Sequence, residues 1–282
     1  MNYISAYCTD TGAIKRINQD SLCIKSAVMN GNEYILAAVC DGLGGLSDGE
    51  TASAFVICTL SEWFEKKLPE MLKERKNILH IRHDLDDTLR DASDRLNAYA
   101  ERTGKTLGTT MTALIFLGNL NKIIAAHIGD SRAYMIKNGN AELLTTDHSV
   151  IFDEIRSGKL TEEEAAADTR QNQLTRCIGA GLEDVTFDYS ILPAEYDTVY
   201  MICSDGFVKK ITAGEIAAEL DPEVITDDDT AERKLAHLTK LCIEREETDN
   251  ISSLTIKLSE RAEKSDCLAK VQFLTTDTVL KK

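Results

Sequence analysis

Apolar and polar positions along this chain alternate with two different periods, and the switches between them outline its elements. Residues 34–39 form a continuous apolar run with the composition of a buried strand, and 21–29 form a second strand-like run. Asn30-Gly31-Asn32 between them predicts a tight turn, hence a hairpin. Ahead of it, residues 8–20 read as extended chain entering the polar knot Lys15-Arg16-Ile17-Asn18-Gln19-Asp20. Behind it, Ala52, Phe55, Val56, Leu60 and Phe64 recur at helical spacing, predicting a helix through about Leu68 that stops near Pro69. Leu85, Leu89, Ala92, Leu96 and Tyr99 predict a second amphipathic helix over 84–100.

Strand-like runs at 109–116, 122–128, 132–137 and 141–144 follow. Their connections, Leu117-Gly118-Asn119, Gly129-Asp130-Ser131 and Asn138-Gly139-Asn140, are too short for crossover helices, so these strands are expected to be antiparallel. Residues 148–181 differ in character: short helical pieces and glycine breaks suggest an inserted, partly mobile subdomain. Strands return at 185–192 and 198–203, then helices at 213–220 and 230–245 and a last strand at 251–258. Residues 259–282 read as a charged extension without an assigned place. Helices that precede an antiparallel series argue for an α+β fold.

Composition narrows the function. An apolar share of 43% in 282 residues supports a substantial core. With no apolar run of about 18 residues, no membrane span is expected, and the N-terminal stretch lacks the pattern of a signal peptide. The eight cysteines include no C-x-x-C pair and are expected to be reduced, which places the chain in the cytoplasm. A formal charge of −15 argues against nucleic acid and anionic membrane as partners. The acidic runs Glu162–Glu164 and Asp227–Asp229 read as helix-start charges, and His80-x-x-His83 as a surface or helix-entry pair.

The candidate chemistry lies where strands end. Asp41 follows an apolar run and opens a corner with four glycines, Gly42, Gly44, Gly45 and Gly49, in eight positions. Asp130, Asp205 and Asp249 stand in the same setting, next to Ser131, Gly206 and Asn250. Carboxylates that converge at a rim repel one another unless cations neutralise them. Oxygen-only ligands suit Mg²⁺ or Mn²⁺.

These segments resemble the metal-dependent protein phosphatase family, type 2C, in its compact bacterial serine/threonine form. Asn18-Gln19-Asp20-Ser21 resembles the family's N-E-D-S, Asp41-Gly42-Leu43-Gly44-Gly45 its D-G-(M/H)-G-G, and Gly108-Thr109-Thr110 its G-T-T. Gly129-Asp130-Ser131-Arg132-Ala133-Tyr134 matches G-D-S-R-A-Y, Ser204-Asp205-Gly206 matches S-D-G, and Asp249-Asn250-Ile251 matches D-N-I, all in the family's order. The resemblance implies a four-layer α-β-β-α sandwich, two antiparallel sheets flanked by helices. It implies one catalytic domain over 1–258, with 148–181 as a flap beside the site. It also implies metal-assisted hydrolysis of phosphoserine and phosphothreonine in proteins, without a phosphoenzyme, by a monomer whose partner is a serine/threonine kinase.

In that scheme Asp41 bridges two ions, Gly42 lends a carbonyl, and Asp205 and Asp249 complete the first ion. Asp130 with Asp205 holds a weaker third. Two positions depart from the pattern. Gln19 replaces a glutamate, so Asp20 is expected to carry more of the second ion. Lys15 replaces the phosphate-binding arginine, with Arg16 as the alternative. Leu43 stands where eukaryotic relatives carry a histidine.

Other readings are weaker. No cysteine is followed six positions later by arginine, which excludes the C-x5-R phosphatases. Asp84-Leu85-Asp86-Asp87-Thr88 fits D-x-D-x-T but reads as a helix start rather than a strand end. A D-x-D-x-D-G calcium loop is absent. The remaining alternative is a phosphatase-like module that binds a phosphoprotein without turnover. Loss of a ligating aspartate would mark it, and all four are present.

Overall fold

The computed structural model describes residues 2–43, 48–166, 168–170, 172–182 and 185–259. Gly44 and Gly45 of the glycine corner, and all but the first residue of the 259–282 extension, lie outside the described residues. The chain runs β1 (Asn2–Asp10), β2 (Asp20–Met29), β3 (Asn32–Asp41), α1 (Gly49–Lys73), α2 (Ile78–Thr103), β4 (Gly108–Thr109) and β5 (Met111–Leu117). It continues through β6 (Lys122–Ile128), β7 (Arg132–Lys137), β8 (Asn140–Leu143), α3 (Val150–Arg156), α4 (Glu162–Ala166) and β9 (Ile178–Gly179). The last elements are β10 (Asp188–Pro193), β11 (Thr198–Cys203), α5 (Asp205–Val208), α6 (Ala213–Leu220), α7 (Asp228–Glu244) and β12 (Ile251–Ser259).

Two five-stranded antiparallel sheets, ordered β1-β12-β11-β7-β8 and β10-β6-β5-β3-β2, pack face to face. The period of two in each strand divides its residues between layers. Ile35, Ala37 and Val39 of β3 meet Tyr200, Ile202 and Ile256 of the other sheet. Leu36, Ala38 and Cys40 face Val56, Leu60 and Trp63 of α1 and Leu85 and Leu89 of α2. On the far side, Val199, Met201 and Cys203 of β11 pack with Ile216 of α6 and Leu235 and Leu238 of α7. A strand buried on both faces reads as an unbroken apolar run, which is why 34–39 does. The architecture is the four-layer α-β-β-α sandwich that the resemblance implies.

Several expectations need correcting. The helix expected to stop at Pro69 runs through it to Lys73. Proline there forgoes only the backbone bond to the Glu65 carbonyl, while Met71 and Leu72 beyond it pack against the core and hold the last turn in place. The second helix begins at Ile78, capped by Asn77 accepting from the His80 N–H, so the D-x-D-x-T stretch lies inside a helix rather than at its start. The strand expected over 109–116 breaks at Thr110, and the one expected over 185–192 begins at Asp188. Gly129-Asp130-Ser131 is not a hairpin turn, because β6 and β7 belong to different sheets and this link carries the chain between them. The extended chain expected over 8–20 contains only the end of β1, which starts at Asn2, stops at Asp10 and pairs with β12; a turn-and-bend loop follows to Gln19.

Candidate active site

Both sheets send their acidic strand ends to one rim of the sandwich. Asp20 opens β2 and lies in register with Asp41, the last residue of β3. Like charges directly opposite on a ladder destabilise it. From the other sheet, Asp205 follows the end of β11 and Asp249 precedes β12, the strand beside it. Asp130 sits on the link between the sheets.

The matched motifs brace these carboxylates. Thr110 accepts the Asp41 N–H on its hydroxyl (3.0 Å) and donates its own N–H to the Asp41 carbonyl (2.8 Å). The Thr109 hydroxyl donates to that same carbonyl at 2.8 Å. Thr110 Oγ1 also pairs with Ser131 Oγ at 2.8 Å, tying the Asp41 strand to the Asp130 link. Gly42 must be glycine: a Cβ there would lie 2.3 Å from the Gly49 carbonyl oxygen. Asn250 staples the loop before β2, its amide donating to the carbonyls of Thr11 (2.9 Å) and Ile17 (3.1 Å) while its Oδ1 accepts from the Gln19 N–H (2.8 Å). Glu247 Oε1 accepts the N–H groups of Thr248 and Asp249, fixing the approach to the last aspartate.

The electrostatics of the rim are those of uncompensated acid. Burial raises the Asp20 carboxyl to about 7, with Asp205 and Asp249 adding to the rise and the Ser252 and Ser204 hydroxyls opposing it. Among the described residues no group meets either Asp20 oxygen, or Asp205 Oδ1, in hydrogen-bonding geometry; the Ser252 and Ser204 hydroxyls are near Asp20 without forming such a bond. Asp41 is raised well above the carboxylate range by burial first, then by Asp20, Asp205, Asp130 and Asp249. Asp130 is raised to about 8 by burial and then by Asp205. Asp249 alone moves down: burial pushes it up, but the Lys15 ammonium at 2.8 Å, the Asn250 N–H and Lys209 more than offset that.

Lys15 therefore reaches the rim, paired with Asp249, while Arg16 is exposed. Gln19 turns away toward α1, its amide donating to Glu50 Oε2 at 3.1 Å. Sequence reasoning missed Lys209, which pairs with Asp205 from one turn along α5. The i,i+4 spacing of Asp205 and Lys209 was the available signal, once α5 is seen to start at Asp205.

The 148–181 segment is rooted beside Asp130. The His148 N–H donates to the Gly129 carbonyl (2.7 Å), and Nδ1 of its ring accepts from the Gly129 N–H (3.1 Å). Its Nε2 lies 3.1 Å from Asp188 Oδ2, and Arg176 holds the other Asp188 oxygen at 2.9 Å. His127 stacks 4.9 Å from His148 and is lowered to about 3, by burial first and then by that neighbour. Away from the rim, among the described residues, His83, Asp86 and Asp87 bring their ligand atoms within 4.8 Å of one another on α2, where Asp86 already binds Arg90.

Two antiparallel sheets flanked by helices, with these motifs in order along the chain, make a phosphatase fold, and the chain matches the protein phosphatase 2C family model over residues 13–245. It belongs to that family and is a serine/threonine protein phosphatase. A putative protein phosphatase 2C-type protein of Streptococcus pyogenes is 30% identical over 226 residues, 79% of this chain and 87% of that one. The solved S. agalactiae serine/threonine phosphatase superposes with a TM-score of 0.77 at 28% identity, over 92% of this chain and all of the other. The catalytic domain of the phosphatase PstP, solved in complex with two manganese ions, shares the fold at a TM-score of 0.72 and 24% identity, over 92% of this chain and 100% of that one.

Proposed function

We propose that the enzyme hydrolyses phosphoserine and phosphothreonine in proteins with the help of two divalent cations, Mn²⁺ or Mg²⁺. The carrying observation is the set of buried oxygens on Asp20 and Asp205 that have no hydrogen-bond partner among the described residues, within a rim of aspartates that raise one another's pKa. Such groups are costly unless neutralised, and an all-oxygen set fits a hard cation. Asp41, Asp205 and Asp249, with Asp20 and the Gly42 carbonyl, would hold the ions; Gln19, engaged by Glu50, contributes less. Asp130 with Asp205 is the candidate for a weaker third. When bound, the cations would supply charge neutralisation and lower the pKa of water, which would let water act as nucleophile without a phosphoenzyme.

The chain's own residues orient the reaction. Asp41, fixed by Thr109 and Thr110, sets the centre of the rim. Lys15 exchanges Asp249 for a phosphate oxygen when substrate arrives, acting as a point charge rather than a fork. Residues 1–258 act as one catalytic domain with 148–181 as its flap, as a cytoplasmic monomer on proteins phosphorylated by a serine/threonine kinase. No helix among the described residues is long and apolar enough to cross a membrane.

The test uses a phosphothreonine peptide. Turnover requires added Mn²⁺ or Mg²⁺, and Asp41→Asn lowers it at least about 100-fold with the fold intact, the scale of losing one preorganised electrostatic contact or more. Acid quench with ³²P-labelled substrate traps no labelled protein. Full turnover in excess EDTA, or stoichiometric label on the enzyme, would overturn the mechanism.

A further inference from the structure

Lys209 has no task in the chemistry above, yet its ammonium lies on Asp205 Oδ2. Three features tether it there. The pair is one helical turn apart on α5, and the Lys209 N–H donates to the Asp205 carbonyl at 3.0 Å. Phe207 between them is fully buried, so the turn cannot roll. The bridge is also shielded: the Lys209 side chain is 28% exposed and that of Asp205 12%. The same ammonium also acts on Asp130, offsetting part of its rise, and helps to hold Asp249 down. A lysine on the open surface would be averaged over many rotamers; this one has a fixed base and a carboxylate within reach.

We propose that Lys209 is a built-in counter-cation on the Asp130–Asp205 side of the rim, competing with the divalent ion that this pair would otherwise hold. The inference rests on the reading of the aspartates as metal ligands and deepens it. A tethered ammonium supplies one unit of charge without leaving its helix, so it neutralises part of the acid rim when metal is scarce. An ion entering beside Asp205 must displace it, which weakens binding on that side and sets how much metal the enzyme needs. Asp41 and Asp20, which Lys209 does not pair with, are spared most of the competition.

The sign of the effect makes the test discriminating. The full chain, stripped of metal, is titrated with Mn²⁺, and free Mn²⁺ is read by electron paramagnetic resonance. In Lys209→Gln and Lys209→Met the weakest class of ions tightens at least about tenfold, the scale of one unit charge removed from a well-screened neighbour. Lys209→Arg, which keeps the charge, and Lys210→Gln, which removes a charge next door, bind as the wild type does. Merely structural damage would weaken Mn²⁺ binding, the opposite direction. If wild type binds Mn²⁺ and both neutral variants bind it equally or less tightly, Lys209 is no competitor and the metal reading stands. If wild type binds no Mn²⁺, both fall. Should one neutral variant fail to fold, the other decides.

Discussion

Lys15 and Arg16 are neighbours in the turn-and-bend loop between β1 and β2, and only one of them reaches the rim. The structure gives that place to Lys15, whose Nζ is 2.8 Å from Asp249 Oδ1, and leaves Arg16 exposed. A phosphate dianion offers Lys15 a stronger partner than a carboxylate already shared with Asn250 and Lys209. Lys15→Ala should therefore raise KM for a phosphopeptide about tenfold or more, matching about 1.5–3 kcal/mol for a lost charged hydrogen bond. Lys15→Arg should keep or improve KM, since a guanidinium restores two-point contact. Steady-state kinetics on both, beside Arg16→Ala, check this; impairment of the Arg16 variant alone would move the role one residue along. At this scale the sequence was informative wherever a strand end carries its own marker. Asp41, Asp130, Asp205 and Asp249 each adjoin a turn residue and could be picked out singly. Lys209 could not, because its role depends on a short helix beginning at Asp205. Nor could the isolation of the Asp20 oxygens, which depends on two sheets closing over them.

The elements read correctly from sequence are those with a clear local marker, a helical stripe or a turn of Asn and Gly. The α2 stripe Leu85, Leu89, Ala92 and Leu96 is buried as its spacing requires, and the β2–β3 hairpin turns at Asn30 and Gly31, both at positive φ. β1 escaped notice because its residues are nearly all half-buried, leaving no clean alternation to read. The β6–β7 link misled for a different reason: a three-residue connection suits a hairpin, and nothing local says that it changes sheets. The loop before β2 has little structure of its own and depends on Asn250. That side chain is 3% exposed and makes three hydrogen bonds to the loop backbone, at Thr11, Ile17 and Gln19. Asn250→Ala leaves those groups without partners, and about 2–4 kcal/mol of stability should go with them. Because Lys15 rides on the same loop, KM should rise as well, while Mn²⁺ still binds. Denaturant unfolding with parallel kinetics tests the pairing; a stability loss with unchanged KM would mean that Lys15 is positioned without the staple.

For the molecule as a whole, the acid rim is a stability defect, which bound cations would correct if the proposed function holds. The sandwich core fixes the strand ends regardless of their charge, so the aspartates stay close in the metal-free protein and hold protons instead. Asp20 titrates at about 7 and Asp130 at about 8 when folded, against about 4 for a free aspartate in the unfolded chain. Between those values the folded chain binds more protons than the unfolded one, so stability falls as pH rises through the window, by up to about 1.4 kcal/mol per pH unit for each group. His127 works in the opposite direction: its folded value of about 3 costs stability only as pH drops below about 6.5. From about pH 6.5 to 8 the aspartates act alone, and the metal-free protein should melt at a lower temperature at pH 8 than at pH 6.5. Mg²⁺ reverses this, because at pH 8 it no longer competes with protons for the same oxygens. At 100-fold excess over Kd each site adds about 2.7 kcal/mol. The rise in Tm on adding Mg²⁺ should thus be larger at pH 8 than at pH 6.5. In Asp41→Asn the rise should shrink at both, since that variant loses the carboxylate at the centre of the rim. Thermal melts at the two pH values, with and without Mg²⁺, decide the matter: a metal-free protein more stable at pH 8 than at pH 6.5, or a Tm indifferent to Mg²⁺, would show that the rim is neutralised by some means other than bound cations.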